Sequence, residues 1–263
     1  MKLPFLWFLL LMAAAPVLLS QETCVEKPYS FTSGEQLLYE ISYNWGIIWI
    51  NAGEVRFEAS ESKYGQNETF HFFSTGRSYS RWDWLFKVRD TFEVFSRKSD
   101  LKPIFYRRHT LEGGFRIQNK YLFDPQKDVY LAEMDETRKG FRTDTIAVSK
   151  CTYDVLTATY VARSINFKNH LAGDTITLDL LLDGSTFKLP VVFKGRERIE
   201  NRDGQWWDCI LFTAVLDRGT MFKPGEALLI WVSDDTNKIP IMMEAKIAVG
   251  SIKIYLKSAT AYN

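Results

Sequence analysis

Histidine is scarce in this chain: of 263 residues only three, His71, His109 and His170, carry an imidazole. They lie far apart in sequence and in no metal-ligating spacing, so no zinc-type motif is expected. No nucleophile elbow of the form Gly-x-Ser-x-Gly is present, nor a phosphate-cradling glycine loop, nor a His-Glu-x-x-His pair. No cofactor is therefore expected. Excess charge is also missing. The formal net charge is +1, which gives no field to gather nucleic acid or acidic membranes. Long apolar runs are absent after the first twenty residues, so nothing later matches the 18 or more residues of a spanning helix. Low-complexity tracts and fixed-period repeats are missing too.

The N-terminus supplies the one long apolar run. Met1–Lys2 is a short positive start, and Leu3 to Leu19 is apolar apart from Pro4 and Pro16. This is the layout of a secretory signal peptide spanning 1–20, with cleavage after Ser20 and Gln21 as the new N-terminus. An uncleaved anchor is the competing reading. Cys24 raises the question of lipid anchoring, but Gln21 and Thr23 fit a lipoprotein processing site poorly. The expectation is an exported, soluble periplasmic or envelope-associated protein with no transmembrane span after cleavage.

Three cysteines remain: Cys24, Cys151 and Cys209. Export permits a disulfide, but the odd number leaves one thiol free or paired between chains. They read first as small buried apolar side chains. If two join, Cys151–Cys209 is the pair to test.

Aromatic residues are plentiful, at 15%, and they favour half-buried pleated surfaces. Leu37, Tyr39, Ile41 and Tyr43 alternate with polar neighbours, as do Val55, Phe57 and Ala59. A period of two is the mark of a strand with one face buried. The rhythm recurs through some dozen segments, closed by turns such as Glu112–Gly113–Gly114, Asp183–Gly184–Ser185 and Asp203–Gly204. Pro190 marks an edge or a bulge. Asp135 to Ser149 reads as a loop or a short edge strand. One segment changes period: 152–165 predicts a helix, with Thr152 as N-cap and Arg163 suited to the helix C-terminus. The expected fold is mainly β, a curved antiparallel sheet or open β-barrel-like domain, with one main α-helix packed on or in it. The organisation is a leader, an extension over 21–29 and a single β-rich domain over 30–263, whose two β lobes are joined by the helix.

The order of motifs resembles the domain-of-unknown-function family 3108 of exported bacterial proteins. The residues that carry this are Phe31–Thr32–Ser33–Gly34–Glu35–Gln36–Leu37 with Tyr39, Trp45–Gly46 through Ala52–Gly53–Glu54, and Leu101–Lys102–Pro103. Tyr153–Asp154–Val155–Leu156 through Tyr160 and Arg163, Gly195 to Gly204, and Leu229 to Asp235 with Ile239–Pro240 continue it. The pattern is departed from at Val155 and Thr157, where proline- and serine-like residues are expected. The resemblance implies class and compartment, and no reaction. The leader, with glutamine after its cleavage serine, is similar to Bacteroidetes export signals. In such a bacterium Asn67–Glu68–Thr69, an N-glycosylation acceptor, stays silent. Asp144–Thr145–Ile146 and Asp174–Thr175–Ile176 resemble an O-glycosylation motif, which makes Thr145 and Thr175 candidate acceptors.

Candidate binding residues are tryptophans and a phenylalanine outside strict alternation: Trp45, Trp49, Trp82, Trp84, Phe86, Trp206 and Trp207. Such residues fill the ends of a core, line an apolar pocket or form a contact patch. Three functions follow. The first is a non-enzymatic protein binding an apolar or amphipathic envelope ligand, a lipid or lipoprotein. The second is an envelope scaffold with a filled interior and an exposed aromatic patch. The third is an enzyme on envelope polymers, which needs Asp83, Arg89, His109 or Asp154 to converge in one cleft. Asp234–Asp235 reads as a turn, because neighbouring strand residues point to opposite faces.

Overall fold

The computed structural model describes residues 24–25, 27–45, 48–216, 226–246 and 250–260. The leader expected over 1–20 lies outside the described residues, as does the side chain of Trp45.

The alternating segments form strands β1 (Glu35–Trp45), β2 (Ile48–Tyr64), β3 (Asn67–Ser78), β4 (Val88–Arg97), β5 (Pro103–Glu112), β6 (Phe115–Asp124), β7 (Val129–Glu136) and β8 (Gly140–Ala147). A two-residue strand, β9 (Thr152–Tyr153), leads into helix α1 (Val155–Arg163). The second run is β10 (Thr175–Leu182), β11 (Ser185–Glu200), β12 (Trp206–Leu216), β13 (Glu226–Ser233), β14 (Pro240–Lys246) and β15 (Ser251–Thr260). Each run is a meander. The first and last strands pair antiparallel, Tyr43 against Ile252 and Gln36 against Thr260. This pairing joins both runs into one open, curved sheet of 15 strands, with β8 at one edge and β9 at the other. The polar stretch before Ser149 is an edge strand, β8.

Proline and glycine sit where the ladder needs them. Pro190 lies where β11 pairs with β10 alone, before pairing to β12 begins at Val191. Its missing N–H therefore costs no bond to β12. The register of β11 shifts between Phe193 and Gly195, and Gly195 takes φ +132° there, a bulge that only glycine enters without strain.

The helix starts three residues later than expected. Thr152 and Tyr153 pair in parallel with Asp179 and Leu180, so they stay extended. The N-cap is Asp154, not Thr152. Its carboxylate accepts from Leu156 N at 2.8 Å and Thr157 N at 3.0 Å, and Thr157 Oγ1 donates to it at 2.6 Å, closing orphan donors of the first turn. Six of the nine helical residues are buried, because α1 packs inside the curved sheet against β3, β4 and β10. Phe72 of β3 stacks on Tyr160 at 4.0 Å between centroids, and Phe31 meets the same ring edge-on. The inner faces of β5, β6 and β7 contribute Tyr106, Tyr121, Tyr130 and Met134 to this core.

The β10–β11 hairpin tip lies on that inner face. Asp183 accepts from Arg108 Nη1 at 2.8 Å and Asn119 Nδ2 at 3.2 Å, and Gly184 N donates to Tyr121 Oη at 3.0 Å. Side-chain bonds across the interior thus connect the two runs.

The cysteine expectation is corrected. Cys24 and Cys151 are bridged, and Cys209 is free and buried. Cys151 precedes β9, beside the entering N-terminal segment, whereas Cys209 lies within β12. The bridge fastens residues 127 apart and holds the segment that carries Tyr29 and Phe31 over the core.

Candidate interaction surface

In a meander, alternate connections lie at the same end of the sheet. The β1–β2, β3–β4 and β5–β6 connections therefore share one rim. It carries Ile48, Trp49, Trp84, Leu85 and Phe86, all exposed, with Trp84 at 74%. Large apolar groups gathered this way are a surface feature that needs a reason.

The rim is built, not frayed. In the β3–β4 loop a short 3-10 turn, Ser80–Trp82, brings Trp82 over β2, where its Nε1 donates to Asn51 O at 2.8 Å. Arg81 donates to the same carbonyl at 3.2 Å. Asp83 and Arg89 clamp the loop base through two bonds, of 2.5 and 3.1 Å. Ser78 Oγ donates to Asp83 at 2.5 Å and accepts from Val88 N at 3.0 Å. The Arg89 hydrogen bonds, with that of Ser78 next, hold the Asp83 carboxyl below its usual range. Phe86 lies over Gly113 of the β5–β6 turn, where φ is +56° and an added Cβ would meet the ring at 2.4 Å. Lys253 sits over the Trp49 ring at 5.5 Å. The loop thus offers Trp84, Leu85 and one face of Phe86 outward while Trp82 anchors it.

Trp206 and Trp207 stand apart. Trp206 is exposed under Arg198. Trp207 is half-buried beside a cluster holding Cys209 and Trp231. Their hairpin folds over the sheet, so that Arg202 at its tip donates to Ser42 Oγ and Asn51 Oδ1, both at 2.7 Å. Asn51 therefore receives both the rim loop and the β11–β12 tip. Asn51, Ser78 and Arg202 escaped the sequence reading. Asn51 and Arg202 meet across 151 residues of chain, for which no local pattern exists, and Ser78 acts across its own loop, on Asp83, Val88 and Arg89.

Of the catalytic candidates, Arg89 and His109 line one open depression of the outer face together with Glu54, Arg77 and Asp90, while Asp154 lies apart from them. Asp83 and Arg89 form the loop clamp. His109 meets Gln118 at 3.3 Å on the outer face, and Asp154 is consumed as the helix cap. Asp235 is a turn residue, accepting from Asn237 N and Lys238 N, each at 2.9 Å. Among the described residues no three His, Cys, Asp or Glu side chains gather as metal ligands, and no helix is long and apolar enough to cross a membrane. Thr145 and Thr175 are exposed.

No curated protein matches the sequence. Among solved structures, a β-barrel-like protein of the domain of unknown function DUF1849 from Brucella abortus superposes with a TM-score of 0.56 at 10% identity. That match covers 89% of this chain and 99% of the other, and it supports the barrel-like fold alone. A candidate lipoprotein from Parabacteroides distasonis aligns over 88% of this chain and 98% of its own, at 9% identity. Its TM-score of 0.28 carries no argument. The sequence itself decides the family: residues 38–257 match the protein family of unknown function DUF3108, and the chain belongs to it.

Proposed function

We propose that this protein is a non-enzymatic module of the bacterial cell envelope that holds an apolar partner surface on its aromatic rim. One observation carries the reading. The rim presents Ile48, Trp49, Trp84, Leu85 and Phe86 to solvent while a hydrogen-bonded base fixes the loop that carries three of them. Rigid aromatic side chains that need little ordering are the usual anchors of protein interfaces. The apolar leader supports export, and the use of Asp83 in the loop clamp and of Asp154 as the helix cap supports a role without catalysis.

A carrier of an enclosed lipid needs room inside the sheet. Here α1, Phe31 and Phe72 fill that space, which favours the rim over the interior. The partner is an envelope protein with an apolar patch. Serine at both Trp84 and Phe86 tests this. Recovery of the partner with the double variant is expected to fall at least about tenfold, as for the loss of an interface anchor, with the β-rich circular dichroism spectrum retained. Full recovery would refute the rim.

A further inference from the structure

We infer that the free edge strand β8 pairs with β8 of a second copy, antiparallel about Thr143. The edge is open: among the described residues β8 hydrogen-bonds to β7 alone and ends the sheet. It is eight residues long and mostly exposed, with no proline to interrupt it, and Arg142 and Asp144 are its charged residues. The opposite edge, β9, is blunted by being two residues long.

The phase of the ladder fixes which backbone groups point outward. Val148 N donates to Asp128 O at 3.3 Å. Even-numbered residues of β8 therefore turn their N–H and C=O to β7, and Phe141, Thr143 and Thr145 turn theirs away. Thr145 N agrees, since it is capped only by its own neighbour, Asp144 Oδ1, at 2.7 Å. Antiparallel bonding must match outward residues with outward residues, so only every second register is possible.

Charge selects among these. Centred on Thr143, Arg142, whose guanidinium is already paired with Glu136 of its own chain at 2.7 Å, also faces Asp144 of the second copy, twice over. Moving the centre one residue along opposes Arg142 with Arg142, or Asp144 with Asp144, and like charges directly opposite are unfavourable.

The outer face makes the same choice independently. Leu122, Leu131 and Thr145 are in register across β6, β7 and β8. Leu122 and Leu131 are 39% and 46% exposed, and Phe141 is 69% exposed. The chosen register sets Phe141 of the second copy opposite Thr145, at the end of this leucine row. An exposed apolar row in each copy is then continued by the other.

Thr143→Pro removes one outward N–H and leaves the β7 ladder intact. Thr143→Cys puts two sulfurs across the two-fold axis, where Cα atoms of a hydrogen-bonded pair lie about 5.5 Å apart, within disulfide reach. Sedimentation of the purified protein up to about 1 mM should show a reversible dimer. The dimer should vanish with Thr143→Pro and weaken about tenfold with Asp144→Arg. Thr143→Cys should oxidise to a covalent dimer far faster than Lys127→Cys, an exposed turn control. A wild-type monomer throughout, unchanged dimerisation with Thr143→Pro, equal cross-linking of both cysteine variants, or capture of a foreign strand in place of the second copy would each overturn the inference.

Discussion

Arg163 at the end of the helix and Glu35 at the start of β1 form a bidentate ion pair, at 2.7 and 2.8 Å, with side chains 3% and 1% exposed. The remaining guanidinium bonds go to backbone oxygens of Ser30, Asn237 and Lys238. One cation thus joins the N-terminal segment, the first strand, the helix and the β13–β14 turn. Glu35→Gln leaves Arg163 charged and buried without its counter-ion, at a cost of about 3–5 kcal/mol. Replacing both by apolar groups of like volume (Glu35→Leu with Arg163→Met) should recover most of that. Urea unfolding checks both values.

The bridge between Cys24 and Cys151 closes a long loop, and long loops gain most from closure in the chain-entropy account. Cys151→Ser should lower stability by about 2–5 kcal/mol. Dithiothreitol should lower the melting temperature of the wild type and leave that of the variant unchanged.

Stability should depend on pH through Asp90. Burial, and after it the Glu112 carboxylate, pushes its carboxyl up to about 7 from the ordinary 3.8, against the opposing pull of Leu111 N–H and Arg108. The folded state therefore holds this proton more tightly than the unfolded chain does. The contribution is fully present below pH 3.8 and is lost as pH rises to about 7. Asp90→Asn should flatten that slope and leave the variant more stable than wild type at pH 8. Asp154, raised by burial to about 6, adds a slope of the same sign. The difference between the two denaturation series isolates Asp90.

Within the rim, Trp82 and Trp84 should separate structure from binding. Trp82→Phe loses the bond to Asn51 O, at a cost of about 0.5–1.5 kcal/mol. Trp84→Ser, at an exposed site, should change stability by less than about 0.5 kcal/mol. Calorimetry of the two variants distinguishes the anchor from the exposed residue.

Much of the fold was legible because a half-buried strand writes its period into every second residue. Leu37 to Tyr43 and Ile176 to Leu182 did so plainly, and a change of period revealed the helix. What was missed depends on distance along the chain. Thr152 looked like a cap because its extended state comes from pairing with Asp179, 27 residues on. Three cysteines without connectivity left the true bridge unread. The continuous sheet rests on β1 meeting β15, which no local alternation records. Of the site, the aromatic clusters were visible as composition. That Trp84 points out while Trp82 bonds inward follows from the Asp83–Arg89 clamp, two residues that the sequence offered only as candidates for a cleft.

The most direct test of the rim is a photo-cross-linking amino acid placed in living cells at position 84, with position 171 as an equally exposed control. The account predicts one defined envelope protein captured at 84, absent at 171 and lost when Phe86 is also changed to serine. Equal capture at both positions, or none at 84 alongside a stoichiometric lipid extracted from the sheet interior, would contradict it.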